Sequence, residues 1–292
     1  MSGLLDPAVM TRLSSCKLAN KRMIHGSYKG ERRSGRIGTS LEFSDYRLYS
    51  QGDDPRQIDW NTYARTQKHY IKRFLDEQEL TVNVFLDCTK SMSVYEEKWR
   101  RALELTAAIS LMSLSGSDRV AVFPVSSETR DYPLTRGKAL IYRVLAHIEE
   151  IKVSPSSEKF SSSLLQKIPA VRSNGMSLII SDFLEDPEGL FVALNSLQAK
   201  RQEIRLVQLL HPEERDPEYF GDLKLTDVET DEERDVSMSG KVAERYRETL
   251  QKHLDIIESF CRTRGIDFLS LSTSETLKNM IFFKLMSNGW II

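Results

Sequence analysis

From Leu80 to the C-terminus, short runs of β-branched and aromatic residues alternate with longer segments of helical period, and this alternation constrains the chain more than any other feature. Strands are expected at 81–87, 119–126, 176–182, 203–210 and 266–271, and helices at 95–114, 136–150, 158–169, 187–200, 240–264 and 274–287. Strands separated by a helix cannot pair through a tight turn; they run parallel, with helices on both faces. Gly116, Gly175 and Gly265 stand just before strands, where helix C-caps belong. Leu223, Leu225, Val228 and Val236 surround Glu229-Thr230-Asp231, a pattern that suggests an antiparallel hairpin inserted near 220–240. The expected class is therefore α/β: a doubly wound, mainly parallel sheet flanked by helices, with a small antiparallel hairpin insertion.

Upstream of Leu80 the pattern is different. Asp6 to His25 can form an amphipathic helix, with Asp6 as N-cap ahead of Pro7. Gly26 to Ser40 reads as a loop, Gly52-Asp53-Asp54-Pro55 as a turn, and Lys68 to Phe74 as an edge strand. Two parts follow: residues 1–79, an N-terminal helix and irregular extension packed on the main domain, and residues 80–292, the main α/β domain.

No apolar run reaches the roughly 18 residues of a membrane span, and the first residues lack a basic region followed by an apolar stretch. Cys16, Cys88 and Cys261 are odd in number and have no metal-ligand spacing, which fits a reducing cytoplasm. The net charge of −1 conceals an asymmetry. Residues 10–36 carry eight Lys and Arg against Glu31 alone, while 212–235 are strongly acidic, including Glu213, Glu214, Asp231, Glu232, Glu233 and Asp235. These segments read as solvated surfaces or as oppositely charged docking faces. Nucleic acid is not expected, because the basic stretch has one nearby aromatic, Tyr28, and matches no binding module.

The chemistry of the chain concentrates where the first core strand ends, in Asp87-Cys88-Thr89-Lys90-Ser91-Met92-Ser93. Asp87, Thr89 and Ser91 place a carboxylate and two hydroxyls at alternate positions, and Asp182 ends a second buried strand. At the switch point of a doubly wound sheet these oxygens can converge on Mg²⁺ or Mn²⁺. The plainer reading has Ser91 and Ser93 capping the next helix and Asp87 bonded to backbone. A third makes Asp87 the nucleophile of an aspartyl-phosphate phosphohydrolase, with Ser181 holding the phosphoryl group. Cys88 lacks an obvious His base, and Gly-x-x-x-x-Gly-Lys-Ser/Thr, Gly-x-Ser-x-Gly and His-Glu-x-x-His are all absent.

The Asp-x-Thr-x-Ser loop with its distant Asp resembles the metal-ion-dependent adhesion site of von Willebrand factor A-type domains. Ser34-Gly35-Arg36, Leu41-Glu42-Phe43-Ser44-Asp45-Tyr46-Arg47, Gly52-Asp53-Asp54-Pro55-Arg56, Ile58-Asp59-Trp60-Asn61, Ala64-Arg65 and Lys72-Arg73-Phe74 resemble the signature of a bacterial family known as domain of unknown function number fifty-eight. The resemblance implies a von Willebrand factor A-like fold and no enzymatic activity. It also implies a protein-binding role as adaptor or chaperone-like partner of a MoxR-type AAA+ ATPase. Its metal positions fall on Asp87, Thr89, Ser91 and Asp182. The second-loop Thr of the adhesion site has no counterpart: Glu158 and Lys159 stand there, with Ser161 nearby, so Glu158 or Ser161 would contribute, or Lys159 or Lys90 would replace the cation's charge. If the site is a relic, the chain is a metal-independent scaffold. The cluster Arg47, Asp53, Asp54, Arg56, Asp59 and Trp60 is either a partner-docking surface or a network of buried ion pairs.

Overall fold

The computed structural model describes residues 3–20, 43–74, 79–154, 158–217, 221–226 and 233–292. In chain order the elements are α1 (Pro7–Leu13), β1 (Phe43–Leu48), α2 (Trp60–Thr66), β2 (Tyr70–Phe74), β3 (Thr81–Asp87), α3 (Glu96–Ser115), β4 (Arg119–Val125), β5 (Tyr132–Arg136), α4 (Ile141–Glu149) and α5 (Phe160–Lys167). Then come β6 (Met176–Ser181), α6 (Pro187–Ala199), β7 (Glu203–Leu210), α7 (Pro212–Arg215), β8 (Gly221–Thr226), β9 (Glu233–Met238), α8 (Gly240–Arg264) and β10 (Asp267–Ser272). A helical turn, Leu277–Asn279, runs into a π-helical stretch, Met280–Leu285. The chain forms two compact units, one of residues 1–25 and 80–292, the other of residues 26–79.

In the larger unit six strands lie in the order β10-β7-β6-β3-β4-β5, parallel except for β5. This is the mainly parallel, helix-flanked α/β architecture expected from the alternation. Both faces are buried. Val82, Val84 and Leu86 of β3 join the core built with α3 and α4, whereas Phe85 points to the opposite core with Ile179, Leu194 and Leu206. Period-2 alternation divides one apolar strand between two cores. The chain leaves β3 toward β4 and later returns to its other side as β6, so the β3/β6 boundary is the switch point.

Strand β5 departs from expectation. Tyr132-Pro133-Leu134-Thr135-Arg136 pairs antiparallel with β4 at the edge of the sheet, and the following helix begins at Ile141 instead of 136. Pro133 obscures the strand in the sequence, yet an edge tolerates its missing donor. The helix expected over 274–287 is the short turn and π stretch above. Gly265 is the left-handed C-cap of α8 at φ 66°, whereas Gly175 is required by space: a Cβ there would lie 2.6 Å from the Thr81 carbonyl.

Asp6 caps α1 through Ala8 N–H at 2.8 Å, but the helix ends at Leu13, far short of the expected His25. The segment after it becomes extended. Lys17 and Ile292 exchange backbone hydrogen bonds of 2.8 and 2.9 Å, and Ala19 N–H donates to the Trp290 carbonyl at 2.9 Å. Buried Arg205 of β7 donates to the carbonyls of Trp290, at 3.0 Å, and Ala19, and pairs with Glu203 at 2.6 Å. These bonds tie residues 17–19 into the larger unit, whose bounds take in residues 1–25 as well as 80–292. The hairpin is present as β8 and β9, with Leu223 opposite Val236; its tip, 227–232, and residues 21–42, which include most of the basic stretch, lie outside the described residues.

In the smaller unit β1 and β2 form an antiparallel pair, with Leu48 opposite Tyr70 and Arg47 opposite Ile71. Asp59 ends the intervening turn and caps α2, donating its own N–H to the Tyr70 carbonyl at 2.8 Å.

Candidate functional site at the carboxyl edge of the sheet

Strands β3 and β6 are neighbours in register, Leu86 beside Ile180, so Asp87 and Ser181-Asp182 emerge side by side. Asp87 is 1% exposed. Its Oδ1 accepts Thr89 N–H at 2.9 Å and Thr89 Oγ1–H at 2.7 Å, and its Oδ2 accepts the Ser181 hydroxyl at 2.6 Å. Ser91 Oγ lies 3.1 Å from Thr89 Oγ1. Burial first, and then the charge of Asp182, push the Asp87 carboxyl up to about 7, against hydrogen bonds from Ser181 and Thr89 that lower it. The same burial, with Asp87 alongside, raises the Cys88 thiol well above its usual range, which removes it as a nucleophile.

Asp182 is held in a tight turn. Its Oδ1 accepts Leu184 N–H at 3.2 Å, Ser181 Oγ accepts Phe183 N–H at 3.0 Å, and Gln208 Nε2 donates to the Asp182 carbonyl at 2.8 Å. His253 Nε2 lies 2.7 Å from the Phe183 carbonyl. These bonds hold Phe183 at φ 52°, a left-handed conformation unfavourable for a bulky side chain.

The cation at this site is Lys98, in the first turn of α3. Its ammonium is fully buried and donates to Asp182 Oδ2 at 2.7 Å, Glu214 Oε1 at 2.7 Å and the Ser91 carbonyl at 3.1 Å. Burial acts to lower the Lys98 pKa, but Asp182 and Glu214 outweigh it and leave it raised, so the group is charged. A positive charge in a helix's first turn opposes the helix dipole; the two carboxylates compensate. Glu214 arrives on α7, where its Oε2 accepts His211 N–H at 2.8 Å. The His211 ring stacks on Tyr95 at 3.8 Å, and Tyr246 donates to the Glu214 carbonyl at 2.6 Å. Burial, then Glu214, raise the Tyr246 phenol.

Sequence reasoning missed both ends of this ion pair. A signal for Lys98 was present: with Ala102, Leu105, Ile109 and Met112 it occupies one helical face, and all five are buried. In the sequence Glu214 reads as part of an acidic surface, whereas in the structure it is the ammonium's second counter-ion.

The other candidates fall differently. Glu158 is exposed and bonds to Gln166 Nε2 at 2.8 Å, while Ser161 is buried and donates its N–H to Glu185 at 2.8 Å. Ser161 is linked to the rim through Glu185, whose carboxyl is raised first by burial and further by the charge of Asp182. Ser93 bonds to the Lys90 carbonyl, and the residue capping α3, Tyr95, makes no side-chain cap bond, so Ser91 and Ser93 do not cap the helix. In the smaller unit, Arg47 grips Asp53 with two hydrogen bonds of 2.7 and 2.9 Å. Asp54 accepts Arg56 N–H, and buried Asp59 accepts Asn61 and Thr62 N–H together with the Thr62 and Tyr46 hydroxyls. The Arg47–Asp53 pair is partly exposed, and the contacts described for these residues cap turns. Trp60 is 58% exposed, edge-on to Tyr63 and His69.

This arrangement does not fit a divalent cation. The oxygens of Asp182 and Glu214 are engaged by an ammonium, and Asp87 is sealed and saturated. A divalent ion would have to displace that ammonium from Asp182 or share the carboxylate with it against like-charge repulsion. Among the described residues no group of three or more His, Cys, Asp or Glu is placed to hold a metal. Nor is Asp87 open to a phosphoryl donor.

Known proteins place the chain in context. Uncharacterized proteins of Mycobacterium bovis and Mycobacterium tuberculosis are 26% identical to it over 276 residues, covering 92% of this chain and 86% of theirs. A conserved hypothetical protein BatB from Bacteroides thetaiotaomicron is 12% identical, with TM-score 0.41, covering 72% of this chain and 98% of that one. An aerotolerance-related membrane protein from Bacteroides fragilis, with multiple mutations to serines, is 12% identical, with TM-score 0.42, covering 71% and 99%. Among the described residues no helix is long and apolar enough to cross a membrane. Residues 45–255, most of both compact units, match one family model, and the chain belongs to that family, described as protein of unknown function DUF58.

Proposed function

We propose that this chain is a non-catalytic protein-binding module that engages its partner through the carboxyl edge of the six-stranded sheet without a metal ion. The observation carrying this reading is the closed circuit around Lys98: the carboxylates of Asp87, Asp182 and Glu214 are each occupied by donors from the chain itself, which supports binding over catalysis. Two exposed apolar side chains, Val94 after β3 and Leu184 after β6, flank that circuit and offer a partner contact area. A MoxR-type AAA+ ATPase in the cytoplasm is the proposed partner, supported by the family resemblance, and the module would act as its adaptor.

The test is capture of a purified MoxR-type ATPase by the immobilised full chain. Binding should survive EDTA, and Val94→Asp combined with Leu184→Asp should weaken it at least tenfold without changing the melting temperature. Loss of binding in EDTA, or hydrolysis of an aryl phosphate that disappears in Asp87→Asn, would overturn the proposal.

A further inference from the structure

The two lateral edges of the six-stranded sheet are built differently. On one side β5 is blunted by Pro133 and by a break in its register with β4. On the other side β10, Asp267-Phe268-Leu269-Ser270-Leu271-Ser272, pairs with β7 in unbroken parallel register and carries no Lys, Pro or bulge. Among the described residues no strand lies on its outer side. One hydrogen bond shows which backbone groups face that way: Thr273 N–H donates to the Leu210 carbonyl of β7 at 3.0 Å. Backbone groups alternate in direction along a strand, so Asp267, Leu269 and Leu271 bond to β7 while Phe268, Ser270 and Ser272 turn outward. The Ser272 carbonyl accepts Glu275 N–H at 3.0 Å. Phe268 and Ser270 each keep an N–H and a C=O that no described residue pairs.

The edge is also within reach. A groove of about 490 Å³ has Phe268 and Ser270 on its strand side and Leu250 and Leu254 on its helix side, so α8 stands off the edge. The chain reverses at Gly265, which makes α8 antiparallel to β10 and orders the groove's charges along the strand. Arg215 donates to Ser270 Oγ at 2.8 Å and stands toward the carboxyl end, with Glu258 toward the amino end. Arg247 is paired with Asp216, but among the described residues Arg215 meets no carboxylate. Glu258 is held by Arg262 at 3.4 Å, one turn along its own helix.

We propose that β10 is a self-association edge, at which two copies of this chain pair their β10 strands antiparallel about a two-fold axis at Leu269. Phe268 of each copy then exchanges N–H···O=C bonds with Ser270 of the other, which uses every free group on both edges. Leu269 meets its counterpart at the axis. The antiparallel direction brings Arg215 of one copy to the Glu258 end of the other, whereas a parallel arrangement would set like charges side by side. A net charge of −1 opposes the association little. This lateral edge is distinct from the carboxyl edge considered above.

Sedimentation velocity of the full chain should show monomer passing to dimer between about 1 and 200 µM, the range of a small interface. Hydrogen exchange at Phe268 and Ser270 should slow about tenfold or more in the concentrated sample, with Leu269 and Leu271 protected in both. Ser270→Pro removes an outward N–H and keeps the bonds to β7; it should stay monomeric and melt close to wild type. Arg215→Glu should weaken the dimer about tenfold or more, and Arg215→Glu/Glu258→Arg should restore it, so the charge exchange decides if Ser270→Pro fails to fold. A chain that is monomeric throughout, or whose edge amides slow only when a peptide of another protein is added, overturns the proposal. So does a dimer unaffected by folded Ser270→Pro, or one that the charge exchange fails to restore.

Discussion

Ser181 Oγ donates to Asp87 Oδ2 across 2.6 Å and ties the end of β6 to the end of β3. Since both are buried, the protonation of Asp87 is a property of the fold, not of the solvent. Asp87 titrates at about 7 in the folded protein, while an unfolded aspartate titrates near about 4. Between these values the folded chain holds a proton that the unfolded chain has released. The Asp87 contribution is thus complete below about pH 4 and is lost as pH rises through about 7. Asp87→Asn cannot ionise and can donate its amide to Ser181. Urea unfolding from pH 4 to 8 should show the variant gaining a few kcal/mol on wild type; parallel curves would exclude this role.

Breaking the Lys98 ion pair from one side should be worse than removing it whole. Lys98→Met leaves Asp182 buried without its counter-ion and should cost about 3–5 kcal/mol. The Lys98→Met/Asp182→Asn pair should cost less than the sum of the single changes, by at least about 1 kcal/mol. Chemical denaturation of the four proteins gives the coupling energy, and simple additivity would contradict the buried circuit.

Arg205 holds two distant segments at once, through the Trp290 and Ala19 carbonyls, with its guanidinium 5.3 Å from the Trp290 ring centroid. Arg205→Met leaves these carbonyls and Glu203 without their donor and should cost about 3–5 kcal/mol. Hydrogen exchange should accelerate at Lys17, Ala19 and Ile292, whose amides form the clasp. Acceleration spread evenly over β3 and β6 would argue against a local clasp.

In the smaller unit, Asp59 and Trp60 are sequence neighbours with separable roles. Asp59→Ala removes the cap of α2 and two hydroxyl partners and should cost about 1–2 kcal/mol. Trp60→Ala removes a side chain that is more than half exposed and should leave the melting temperature within about 2 °C. Thermal melts of both variants decide this, and the reverse order of effects would overturn the assignment.

Much of the fold was legible because period-2 runs buried on both faces and helices with an apolar stripe leave their spacing in the sequence. β3, β6, β7 and α8 fall where that spacing puts them. What was not legible depends on tertiary placement. β5 is a half-exposed edge strand with a proline, α1 stops early because residues 17–19 find partners at 290–292, and the C-terminal turn winds as a π-helix. At the site, Asp87, Thr89, Ser91 and Asp182 could be found from strand ends alone. Lys98 and Glu214 are 116 residues apart, and only the folded sheet makes lysine and glutamate of two separate helices neighbours.

The pairing of residues 17–19 with 290–292 has a consequence in time. Closing a loop this long in an unstructured chain costs about 5 kcal/mol of entropy, more than the three backbone bonds return at about 1 kcal/mol each. Once the intervening strands have assembled, most of that cost has already been met. The clasp therefore belongs to a late stage of folding, after the sheet has formed, and is among the earliest parts to open when the unit begins to come apart.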